Sequence, residues 1–393
     1  MILSTMAVCL HLLPALPSPG AAAAVVVTTD GDRHAGALVR WLSAESIRVR
    51  VGDKRVLELP TKAVDRVLFS KNSPIAAEGE WELRTTDGGR LSVDIIEGRD
   101  DAIRIRHALL GAMDVSWDHI RSFERRSATG DIVPVRDGRH TMGDRVVLRN
   151  GDVIAGSVSS AEGQSILMLS NDTGEEELIS WRFIASLNME QPSTTATTAP
   201  TDSFFVRLVD GAEIPAGGFA WESDEVRLAT KPFNELTVAA RRVAAVECDS
   251  ADRVRLSRIP PERYESIPFF STTRPLMVDR NAVGGELSIG GVAHARGFGL
   301  HSACRATWRL RGRYQRLTGL VGIDDSAGPL ADAGFLIRSG DAILYSADRL
   351  RHAEPARPID IDIGGVDELT LEVRFGRNGD VQDRVDLVNV ILK

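Results

Sequence analysis

The sequence predicts an all-β protein, built as a tandem array of small barrel-sized units with a β-sandwich at its C-terminal end. Three observations carry that reading. An Asp-Gly or Asn-Gly dipeptide closes an extended run four times, at Gly31, Gly88, Gly151 and Gly211. A second landmark, a short Ile/Val element, keeps station behind each of them at Val64, Ile120, Ile184 and Val243. Beyond Ser266, eight strand-like runs succeed one another, joined by Gly, Asp and Pro turns without any amphipathic helical pattern.

At 393 residues the chain exceeds what one hydrophobic core usually organises, and 43% hydrophobic with 26% charged residues is ordinary globular composition. The opening "MILSTMAVCLHLLPALPSPGAAAA" holds an uncharged apolar stretch ending in small residues, so residues 1–24 read as a secretory signal. The expected location is therefore secreted, periplasmic or cell-envelope. No later run has the length of unbroken apolar sequence that a membrane span needs. Outside the leader the cysteines are Cys248 and Cys304, read as two free or buried thiols, and no CxxC offers a zinc framework.

The first landmark ends "VVVTTDG", "WELRTTDG", "RVVLRNG" and "FFVRLVDG". Asp-Gly and Asn-Gly favour tight hairpins, in which both central residues take positive φ. Between the landmarks lie "SIRVRV", "AIRIRH", "SILMLS" and "EVRLAT", whose period of two marks half-buried strands. The units are placed at 25–75, 79–126, 144–190 and 203–250. Each is small enough that it must lean on its neighbours.

The spacing resembles that of Sm-like small barrels, many of which bind RNA. A polyanion needs a basic surface, whereas the net charge is −8 and the acidic excess lies in the repeats, which excludes nucleic acid. The array is read as a spacer or a platform for protein partners. "QPSTTATTAPTD", Gln191 to Asp202, is an exposed tether between the third and fourth units, and "RLSRIPPERYES", Arg255 to Ser266, separates the array from the C-terminal sandwich.

The segment 266–393 carries "ARGFGLHS", "VGIDD", "ELTLEV" and a Gly/Asp-rich loop before its last strand. These motifs, in this order, resemble the NPCBM family of carbohydrate-binding modules. The resemblance implies a galactose-binding-like jelly-roll sandwich, attached to glycosidases or other exported bacterial proteins, with a carbohydrate as partner. The family's closing Asp-His-Ala-Asp-Trp-like segment is here "DRVDL", Asp383 to Leu387, with Leu387 in place of the aromatic.

No nucleophile elbow, HExxH or phosphate loop occurs, and the carboxylates form no recognisable catalytic pair, so no enzyme is expected. Loop residues over a rigid scaffold are the natural sugar contacts. The candidate face comprises Arg296, His301, Asp324, Arg377, Asn378 and Asp383. Asp325 and Asp386 are the candidate ligands of a structural calcium ion, with turn capping as the plainer role. Phe298, Trp308, Tyr314, Phe335, Tyr345 and Phe375 read mostly as core. Gly297 and Gly299 read as a backbone corner and Cys304 as a small buried hydrophobe. His301 is either a buried structural histidine or a sugar contact, and His294 has no assigned role. The function expected is a non-catalytic, exported carbohydrate-binding protein. The alternatives are a structural or protein-interaction protein that no longer binds sugar, or an accessory part of a glycoside hydrolase.

Overall fold

The computed structural model describes residues 23–30, 32–42, 46–51, 55–69, 73–126, 143–190, 203–222, 224–250, 253–269 and 273–393. Most of the leader, the junction at 127–142 and the tether at 191–202 lie outside them. Strands dominate, and the helical turns among the described residues are short 3-10 segments.

The first unit has strands Ala23–Thr28, Arg33–Leu42, Ser46–Val51, Arg55–Pro60 and Val64–Phe69. The first strand pairs with the second and fifth, and the third with the second and fourth, giving the order 5-1-2-3-4. Ala23 and Ala24 already belong to this sheet, so the unit starts ahead of residue 25. Units two and three repeat the order. In the fourth the second strand breaks at Gly217 into Glu213–Ala216 and Gly218–Glu222. A 3-10 turn precedes every closing strand, at Thr61–Ala63, Trp117–His119, Trp181–Phe183 and Ala240–Arg242. The Sm-like comparison rests on spacing; the structure establishes the strand order and this turn.

The landmark turns at Gly88, Gly151 and Gly211 differ from the expected tight hairpin, and Gly31 lies outside the described residues. Gly88 donates to the Thr85 carbonyl while the Thr85 N–H reaches Gly89, and the same two bonds recur at Leu148 and Leu208. Positive φ falls on Gly88, Gly151 and Gly211 and not on the Asp or Asn before them. The loop is therefore one residue longer than a two-residue turn, and only the glycine needs the left-handed region.

The units associate in pairs through their closing strands. Phe123 stands opposite Leu187 between units two and three, and Val67 opposite Val246 between units one and four. Each of these residues lies three positions past its Ile/Val landmark, so both seams use the same register and are related by an approximate two-fold. An edge that pairs with its own equivalent closes at two, which explains why the array forms two pairs rather than an open chain of units. The cores merge accordingly. Trp81, Phe123 and Trp181 meet edge to face across one seam, and Phe69 stacks on Trp221 at 4.7 Å across the other. Glu213 pairs with Arg90 to join the two pairs, and buried His107 faces buried Asp210 at 3.2 Å.

The C-terminal sandwich has two sheets. One orders Met277–Val278, Gly297–His301, Arg384–Leu392, Arg316–Ile323 and Arg357–Asp362; the other orders Arg263–Ser266, Cys304–Arg309, Glu368–Phe375, Asp332–Ser339 and Ala342–Arg351. Val254–Arg255 also pairs with the C-terminal strand. The stretch expected to separate array from sandwich therefore supplies two of its strands, and the unit begins at Val254 rather than Ser266. Phe298, Trp308 and Phe335 are fully buried between the sheets and Tyr314 nearly so, while Tyr345 and Phe375 are only half-buried. Gly297 and Gly299 lie within a strand rather than at a corner. A Cβ on Gly297 would strike the Leu387 carbonyl and one on Gly299 the Asn281–Ala282 backbone, so close approach of neighbouring backbone accounts for both glycines.

Candidate functional site

The residues expected to form one sugar-binding face are dispersed over three environments. Arg296 is buried at the junction of sandwich and array. Its guanidinium bonds Glu247 at 3.0 Å, Asp279 at 2.9 Å and also Glu213, so that two of its three carboxylates come from the fourth repeat. Around it Arg258 pairs with Glu247 and Asp249 and lies over the Phe205 ring, and Arg253 and Arg255 both reach Asp65 of the first repeat. Burial alone would raise the Glu213 carboxyl, but Arg296, Arg90 and Arg258 bring it down to about 2. Glu247 is likewise held far below the usual carboxylate range, burial being outweighed by Arg296, Arg255 and Arg258. A guanidinium committed to buried carboxylates cannot meet a sugar, so Arg296 leaves the candidate face and becomes a docking residue.

Asp324, Asp325, Asp383 and Asp386 brace loops. Asp324 is fully buried and accepts from Asn281 Nδ2 at 3.1 Å, Ser288 N–H at 3.3 Å, Ser326 N–H at 3.0 Å and the Ser326 hydroxyl. Asp386 takes the Ser288 N–H at 3.0 Å and is pushed up to about 10 by burial and by Asp324, so it carries a proton at neutral pH. Asp325 accepts the Gly290 and Gly291 N–H groups at 2.8 Å each and the Ser288 hydroxyl. Together the three anchor the hairpin Leu287–Ile289 and Val292–His294 to the sheet beneath. These residues do not fit the expected calcium ion. Hydrogen-bond donors point at their oxygens, one of the acids holds a proton, and calcium needs six to eight oxygen ligands. Among the described residues no group of three or more His, Cys, Asp or Glu could hold a metal ion. Asp383, also fully buried, accepts from the Ser302 hydroxyl at 2.7 Å and the Asp332 N–H at 2.9 Å, and burial raises its carboxyl.

His301 is only 7% exposed, with Nδ1 2.9 Å from the Ser302 carbonyl, and burial lowers its pKa. It is close enough to Arg274, Asp380 and Asp383 to feel their charges. His294 approaches Asn389 at 3.1 Å.

Arg377 and Asn378 are exposed, on the loop between Glu368–Phe375 and the last strand. Asn378 Nδ2 donates to the Leu330 carbonyl at 2.9 Å, and Gln382 accepts the Leu330 N–H, so two loops are stapled into one surface. Beside them stands an aromatic absent from the expected face. Phe269 is 54% exposed, meets Phe375 edge to face at 5.4 Å and lies against Gly379. Leu330 and Val381 are exposed on the same two loops. An aromatic ring against a loop that carries an amide and a guanidinium suits a pyranose, the ring meeting its apolar face and polar groups its hydroxyls.

Residues 253–393 match the NPCBM/NEW2 domain family. The match begins where the strand pairing does, one residue before Val254, so the sandwich is the part of the chain similar to that family. The chain is similar to several solved structures. One is the CBM51 from Clostridium perfringens GH95 in complex with methyl-galactose, 18% identical, covering 36% of this chain and 99% of that chain, TM-score 0.33. A second is the tandem CBM51 modules of Sp3GH98, the family 98 glycoside hydrolase from Streptococcus pneumoniae SP3-BS71, 14% identical, covering 65% and 89%, TM-score 0.32. A third holds the CBM51-2 and INT domains from Clostridium perfringens ZmpB, 16% identical, covering 44% of this chain and 38% of that chain, TM-score 0.33. No curated protein matches the chain. Among the described residues no helix is long and apolar enough to cross a membrane.

Proposed function

We propose that the chain is an exported, non-catalytic glycan-binding protein whose NPCBM unit grips sugar with Phe269, Arg377 and Asn378. The observation that carries this is the half-exposed Phe269 ring beside a loop already braced by Asn378. The lack of an aromatic at Leu387 does not bear on this face, because Leu387 is fully buried within the sheet. The repeats then serve as a platform that holds the NPCBM unit in a fixed orientation, because the ions joining them are buried on both sides.

Glycan-array binding by the full chain tests this, repeated with Phe269→Ala and Asn378→Ala. The expected result is sugar binding weakened about tenfold or more by Phe269→Ala, which loses the stacking ring, and several-fold by Asn378→Ala, which loses a neutral hydrogen bond. Absence of binding to any glycan would overturn the proposal and favour the structural, protein-interaction reading. Binding indifferent to both substitutions would move the site elsewhere.

A further inference from the structure

The two seams of the array are equivalent in register but differ in charge. On the seam of units one and four, Asp65 and Glu247 lie one and four residues past their landmarks, and the chain's own Arg253, Arg255 and Arg258 fill that surface. On the seam of units two and three Arg121 stands where unit one has Asp65, and Asn188 where unit four has Glu247. No such arginine segment covers them among the described residues. A cleft of about 550 Å³ lies there, between the seam and the sandwich segments around Ser257 to Ser266 and Thr273 to Asp279.

Six arginines and four carboxylates line the cleft, and the carboxylates are largely committed. Glu213 and Asp279 hold Arg296, and Glu124 faces Arg84 at 4.0 Å. Arg121 feels burial, repulsion from Arg84 and only the attraction of that same Glu124. Ser257 Oγ and Arg84 Nε are buried without hydrogen-bond partners. Buried donors without partners are costly, and planar guanidinium groups match an oxoanion in two-point geometry. The volume falls in the range of small-ligand sites and suits one or two sugar rings.

We propose that this cleft binds an acidic saccharide, its carboxylate or sulfate resting on Arg121 and its hydroxyls on Ser257. The site is independent of the loop face around Phe269, and it exists only where repeats and sandwich meet. Binding of digalacturonate and of a sulfated heparin disaccharide to the full chain, measured by calorimetry at low and high salt, tests the proposal and separates the two acids. Galactobiose is the neutral control. Expected is binding of at least one acidic probe that weakens with salt, drops about tenfold or more in Arg121→Ser with an unchanged or higher melting midpoint, and persists in Phe269→Ala. The proposal is overturned if neither acidic probe binds, if Arg121→Ser binds as the parent does, if galactobiose binds equally well, or if Phe269→Ala abolishes the binding.

Discussion

The Arg296 guanidinium, at the head of the glycine-rich strand of the sandwich, bonds Glu247 on the closing strand of the fourth repeat at 3.0 Å, and both side chains are almost wholly buried. The contact ties segments 49 residues apart and converts two modules into one body. Its energetics are asymmetric. A complete buried cluster is near neutral against an apolar replacement, but removing one member leaves the rest charged and unpaired.

Glu247→Gln is therefore expected to destabilise the chain by about 3–5 kcal/mol, since Arg255, Arg258 and Arg296 all lose a counter-charge. Denaturant unfolding measures the loss, and limited proteolysis should cut first near Val254. A change under about 1 kcal/mol would show the arginines re-pairing elsewhere, and the platform role would lose its basis.

Acid acts on the same cluster. Glu213 and Glu247 are depressed from an ordinary value of 4.5, so the stability they contribute is present above that value and is lost as pH falls towards about 2. The sandwich should undock from the array across that window before its own core unfolds. Small-angle scattering during acid titration, alongside amide hydrogen exchange in the sandwich strand that carries buried Trp308, separates the two events. Simultaneous transitions would argue against the cluster as the acid-labile element.

The Asp324–Asp386 pair has the opposite sign. Asp386 is raised from 3.8 to about 10, so its contribution is complete below its ordinary value and is eroded as pH rises towards the folded one. Asp386→Asn keeps a donor for Asp324 and an acceptor for Ser288 without a titrating proton. The variant should melt higher than the parent above neutral pH, by the equivalent of about 1–2 kcal/mol, and lose less stability between neutral and alkaline pH. Parallel melting-versus-pH curves would show that the pair does not share a proton.

The two thiols should behave as core atoms. Burial pushes Cys304 up to about 12 and Cys248 higher still, and both are free. A disulfide-exchange reagent should label neither in the folded chain at mildly alkaline pH and both after denaturation. Rapid labelling of either in the native state would contradict its burial.

How much of this was legible in the sequence depends on range. The turn glycines and the Ile/Val landmarks mark contacts a few residues apart, and they located all four units. Pairing between units depends on which closing strands find each other, and no local pattern encodes that partner. Arg296 looked like a loop residue because its carboxylates lie in another module. A signal was nonetheless available in "VAAVECD", where Glu247 interrupts an apolar strand and so required a buried partner. Asp324 and Asp325, adjacent in sequence, could not pair, but Asp386 reaches Asp324 from a distant strand. Phe269 is hard to read because it sits in "IPFFS", outside any strand period.

The pairing of units makes a last prediction that a free-standing repeat would not. Phe123 and Leu187 come from different units, face each other across the seam and are both fully buried. Phe123→Ala should cost about 3–5 kcal/mol and Leu187→Ala about 2–5 kcal/mol, because each opens a cavity in the shared core. Together they should fall short of additivity by about 0.5–3 kcal/mol, since the first cavity already removes contacts that the second would lose. Val246→Ala, on the other seam, should add to Phe123→Ala within about 0.5 kcal/mol. Strict additivity of Phe123→Ala with Leu187→Ala, measured by the double-mutant cycle, would mean that the two units keep separate cores despite the strand pairing.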